Sequence, residues 1–128
     1  MSVRILKREE VVQKLKDWQA NRTSSEDLLH WADSLYPSDD VDYEDWEGDD
    51  SVTCEVMAAL DLLDVNLSTS EDAPIYIEFL STPIGHFQIG YAKYKYALDQ
   101  IDHDARRAQL SDVPLYWPFL RNQKQPGA

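Results

Sequence analysis

The chain has 128 residues, a one-domain length, and 43% of them are hydrophobic, enough to bury a core and too many for a wholly disordered polymer. Its formal net charge of −12 repels nucleic-acid phosphates and anionic membranes, which leaves a basic protein as the natural complement. The single cysteine, Cys54, excludes an internal disulfide and fits a reducing compartment.

Charges at Arg4, Lys7 and Arg8 interrupt any signal-peptide core, and no stretch is apolar for long enough to cross a bilayer. The expected location is the cytoplasm. Residues 4–21 then read as a first helix. Val11, Val12, Leu15 and Trp18 recur at three- and four-residue spacing, and Glu9 and Glu10 sit in its first turn, where the helix dipole favours acids. Asn21-Arg22-Thr23-Ser24-Ser25 breaks it and offers hydroxyl caps for a second helix to about Tyr36, with Leu28, Leu29, Ala32 and Leu35 inward and Pro37 as the stop.

Residues 38–51 hold eight carboxylates with Tyr43, Trp46 and Gly48 and no basic side chain. The imbalance extends outward: residues 23–92 contain seventeen Asp or Glu and no Lys or Arg, while all twelve cations lie elsewhere with seven acids. The run shows neither helical nor strand periodicity, so it is expected as a loop with at most one helical turn. Asp49, Asp50 and Ser51 can cap a third, central helix over residues 52–64, with Val52, Val56, Met57, Leu60 and Leu63 on its apolar stripe.

Further on, Ser68 to Pro74 reads as a cap, early acids and a first-turn proline, starting a short helix that carries Ile75, Phe79 and Leu80. Thr82-Pro83 reads as the start of a longer helix bearing Phe87, Tyr91, Tyr94, Leu98 and Ile101, weakened by Gly85 and Gly90. Asp102 can cap a last helix to Leu110 with Arg106 and Arg107. Residues 113–120, apolar and rich in proline, are expected to lie extended over the core, and 121–128 to fray. No strand is expected. The fold class is therefore all-α: a single domain, residues 1–128, ordered over about 4–120, built as a bundle of five or six helices with an acidic loop and an extended C-terminal tail.

The chemistry of known sites is poorly matched. An EF-hand begun at Asp40 places Asp45 where glycine belongs and Ser51 where the bidentate glutamate belongs; begun at Tyr43 it ends on Cys54. Asp27 with His30 and Asp99 with His103 have the spacing of surface pairs, short of the paired Glu-x-x-His motifs of a di-metal bundle. Cys54 falls beside an apolar stripe and His86 beside Phe87, without a positioned partner. The expectation is no catalytic residue, no metal and no cofactor. A binding surface is expected at Asp39, Asp40, Asp42, Tyr43, Glu44, Asp45, Trp46, Glu47, Asp49 and Asp50, since aromatics ringed by charge are characteristic of interface hot spots.

The pattern Val11-Val12-x-x-Leu15-x-x-Trp18, a polar break, then Ser25-Glu26-Asp27-Leu28-x-x-Trp31-Ala32 resembles small acidic helical immunity proteins of bacteria over about residues 5–65. Those are antidotes to contact-dependent inhibition toxins and colicin-type nucleases. The resemblance implies a non-enzymatic inhibitor that binds a basic, nuclease-like toxin domain. The alternatives are an acidic adaptor of unknown process and, further off, a metal-binding protein using Asp27 and His30 or the acidic loop.

Overall fold

A computed structural model describes residues 3–36 and 38–121. Among them it is mostly helical, with seven α-helices and four short strands. Strand β1 (Arg4–Leu6) precedes α1 (Arg8–Gln19) and α2 (Ser25–Leu35); β2 (Val41–Tyr43), β3 (Trp46–Glu47) and β4 (Asp50–Ser51) occupy the acidic run; then come α3 (Val52–Asp61), α4 (Ala73–Leu80), α5 (Phe87–Asp99), α6 (His103–Gln109) and α7 (Trp117–Arg121).

Local chemistry accounts for most of these boundaries. Ser24, Ser51 and Asp102 accept the N–H three residues on and start α2, α3 and α6. Thr69 starts a 3₁₀ turn over Ser70–Asp72 that runs into α4 with Pro74 in its first turn. The core takes the expected stripes: Val11, Leu15 and Trp18 from α1, Leu28 and Ala32 from α2, Val52, Val56, Met57 and Leu60 from α3. It extends to Tyr76 and Phe79 of α4 and to Phe87 and Tyr94 of α5. There Phe79 and Tyr94 stack with centroids 4.2 Å apart and planes at 12°. α1 packs on α4, α2 on α3, and α4 on α5.

Four expectations need correction. Residues 4–6 are a strand rather than the first turn of α1. They pair in parallel with β2, Ile5 opposite Asp42 and Leu6 opposite Tyr43, so the acidic run contributes β-structure where a loop was expected. Three-residue strands are too short to leave a readable alternation. The rest of the run folds as a hairpin, Trp46 opposite Ser51 and Glu47 opposite Asp50, turned by Gly48 at φ 65°. Thr82-Pro83 does not open α5; a turn through Gly85 at φ 94° delays the helix to Phe87. The tail is not extended, because Pro114 and Pro118 fall in first turns, where a missing N–H costs nothing. It forms a 3₁₀ turn over Pro114–Tyr116 and then α7, and the buried Tyr116 hydroxyl donates to the Ser68 carbonyl. Of the expectation of fraying over 121–128, Arg121 ends α7 instead, and residues 122–128 lie outside the described residues.

A buried ion pair fixes the C-terminal third. Arg106 donates to both oxygens of Asp72 at 2.8 and 3.0 Å and to the Leu67 carbonyl at 2.8 Å. Gly90 lets α5 pack closely on the segment that follows α4, where a Cβ would clash with the side chain of Thr82. Gly90→Ala should therefore lower the thermal midpoint, although alanine improves helix propensity by about 1 kcal/mol. Thr82→Ala in the same chain, which removes the two nearest clashing atoms and keeps the third, should restore part of the loss. A midpoint raised by Gly90→Ala alone would contradict this packing.

Candidate protein-binding surface

The eight carboxylates of the acidic run do not share one environment. Asp45 is buried at 4% exposure and is a structural hub. One oxygen accepts from the Ser51 hydroxyl at 2.5 Å; the other accepts from Arg8 Nε at 2.7 Å and from the Thr53 N–H and hydroxyl at 3.1 and 2.9 Å. Burial disfavours the charge, but these donors outweigh it and hold the carboxyl below its usual range. Arg8 also donates to the Leu80 and Thr82 carbonyls, so α1, the acidic run, the start of α3 and the end of α4 meet at one Arg8–Asp45 pair.

Tyr43 is likewise buried, packed with Leu6, and burial pushes its hydroxyl up to about 12. Tyr43 and Asp45 are thus removed from the expected contact surface. Each has an inward role that its neighbours in sequence do not share: Tyr43 faces the core from β2, and Asp45 meets a cation from α1.

The remaining residues of the run lie nearer to solvent. Asp42 Oδ1 accepts from Trp46 Nε1 at 2.7 Å and from the Tyr43 N–H at 2.8 Å, and those two donors hold its carboxyl below the ordinary value. Trp46 meets Tyr43 edge-on, centroids 5.9 Å apart at 72°, and is still 44% exposed. Its ring is fixed at two points and open on the rest. Asp39, Asp40 and Asp49 are exposed, and Glu44 is exposed while accepting from the Arg8 N–H at 3.1 Å. Asp50 and Glu47 are half-buried; Asp50 accepts from Gln88 at 3.4 Å, whereas Glu47 Oε2 is buried with no hydrogen-bond partner among the described residues.

The fold leaves this charge uncompensated. Among the described residues, Asp45 and Asp72 are the only acids of the cation-free block in ion pairs; Arg4, Arg22 and Arg107 pair with Glu10, Asp17 and Asp104 outside it. One acidic contact had no signal in the sequence. Asp61 of α3 faces Asp33 of α2, and burial, then the hydrogen bond and charge of Asp33, raise its carboxyl.

No three His, Cys, Asp or Glu side chains converge as a metal ligand set among the described residues. Cys54 is half-buried, and burial followed by the charges of Glu55 and Asp45 raises its thiol, which keeps it protonated and poorly nucleophilic. Among the described residues, no helix is long and apolar enough to cross a membrane. Protein-family models, curated proteins and solved structures contain no match to the chain.

The two kinds of carboxylate separate by mutation. Asp45→Asn should cost about 3 kcal/mol at neutral pH, because Arg8 is left with a weakened buried partner. Asp40→Asn should change stability by less than about 0.5 kcal/mol. Because the folded-state pKa of Asp45 is depressed, its contribution is complete above about pH 4 and is lost as pH falls through the lower value. Urea titrations should show the Asp45→Asn deficit shrinking at acid pH; a deficit equal at both pH values would contradict the ion-pair account.

Proposed function

We propose that the protein is a non-enzymatic inhibitor that binds a basic partner through the outer face of the acidic run, in the manner of an immunity protein masking a nuclease-like toxin domain. The observation that carries this reading is the set of exposed carboxylates in the same run as a half-exposed Trp46 whose ring is fixed by Asp42 and Tyr43. An aromatic held in place before binding loses little conformational freedom on contact, and such residues anchor many interfaces. Asp39, Asp40, Asp42, Glu44 and Asp49 of the run would steer a cationic surface into register and reject anionic ones. Solubility alone needs dispersed charge and leaves the fixed, open indole unexplained.

In this reading Asp45 and Tyr43 support the face from beneath without touching the partner. Inhibition follows from occupancy: a basic nuclease groove covered by carboxylates can no longer admit phosphates of the same sign. The acidic-adaptor reading shares the charge but assigns no role to Trp46.

The test is a variant carrying Asp39→Asn, Asp40→Asn, Glu44→Gln and Asp49→Asn, with a partner captured from cell extract at low salt and then purified. Association should slow by about tenfold at low ionic strength and lose most of its salt dependence, with an unchanged unfolding midpoint. An unchanged rate and salt slope would rule out the acidic face as the contact.

A further inference from the structure

The acidic face continues into an apolar one. Ile89 and Tyr96 of α5 are 58% and 68% exposed, large for apolar side chains on a folded domain, and both line a groove of about 710 Å³ between α4 and α5. Ile75 and Phe79 line it from α4, where Glu78 adds a carboxylate; Lys93 is its one cation. A smaller recess of about 330 Å³ adjoins it, lined by Glu47 and Asp50 of the hairpin and by Gly85, His86, Phe87, Gln88 and Ile89. His86 and Ile89 line both hollows, so the two lie side by side.

The recess is negatively charged. Glu47 and Asp50 line it, both are half-buried, and neither forms an ion pair among the described residues. Carboxylates partly removed from water take a cationic donor best. Apolar surface and two unpaired carboxylates thus lie end to end, which is the layout that receives an amphipathic chain.

We propose that the groove and the recess together take one amphipathic segment of the partner protein. Its apolar side chains lie against Ile89, Tyr96 and Ile75, and a Lys or Arg at the end over the hairpin reaches Glu47 and Asp50. The charge of the recess selects a basic segment over an acidic one. This inference rests on the protein-binding reading above and adds the element of the partner that is bound and the place where it lies.

The probe is a labelled amphipathic Leu/Lys peptide of about three helical turns, titrated into the intact protein with affinity from anisotropy and amide shifts from NMR. The expected result is saturable one-to-one binding, with shifts over residues 75–97 and at Glu47 and Asp50. Ile89→Glu and, independently, Tyr96→Ser should each weaken binding by about tenfold or more, since both residues stand in solvent and their loss leaves the core intact. Glu47→Gln should weaken it less and reduce the salt slope. Shifts confined to residues 39–44, with affinity unchanged in Ile89→Glu and Tyr96→Ser, would overturn the groove and leave the acidic-face reading standing. Absence of saturable binding at low salt would count against both.

Discussion

Arg8 is the residue that the rest of the structure depends on. Its guanidinium holds Asp45 and two carbonyls at the end of α4, and its backbone N–H holds Glu44. Without that cation, Asp45 would be a buried charge with only hydroxyls and one amide to stabilise it, and burial would expel it toward solvent. With it, the middle of the acidic run is drawn inward, and the residues on either side are turned outward. One ion pair therefore both anchors the run to the helices and determines which of its carboxylates meet solvent.

The same division explains how so acidic a segment tolerates order. Carboxylates at Asp39, Asp40 and Asp49 remain hydrated, so their mutual repulsion is screened by water and salt. Tyr43 and Leu6 bury apolar surface between the strands and the helices, which offsets the cost of ordering the chain. The result is a charged face on a rigid base. Under the proposed function, rigidity matters as much as charge, because the contacts need not be assembled on binding. At the hairpin the charge of Glu47 and Asp50 adjoins exposed Ile89.

Much of the helical framework was legible in the sequence. The apolar spacing in α1, α2 and α3, and the caps at Ser24, Ser51 and Asp102, depend on local geometry that a single chain displays. What was not legible depends on contacts remote in sequence. β1 exists because residues 41–43 lie beside it, and nothing in Arg4-Ile5-Leu6 announces that pairing. The prolines of the tail look like breakers until each is seen to start a helical turn. In the acidic run, the acids and Trp46 stood out at once. The inward places of Tyr43 and Asp45 did not, because Asp45 differs from its neighbours only in finding Arg8, thirty-seven residues earlier. The α4–α5 groove left no sequence signal, since Ile89 and Tyr96 share a helix with residues that are buried.

The most direct measurement is zero-length carbodiimide cross-linking of the protein to its purified partner, with the linked peptides mapped by mass spectrometry. The account predicts amide links from Asp39, Asp40, Glu44 or Asp49 to partner lysines, abolished by high salt, with none from the buried Asp45. Links confined to carboxylates outside residues 39–50, such as Glu9, Asp99 or Asp112, would contradict it.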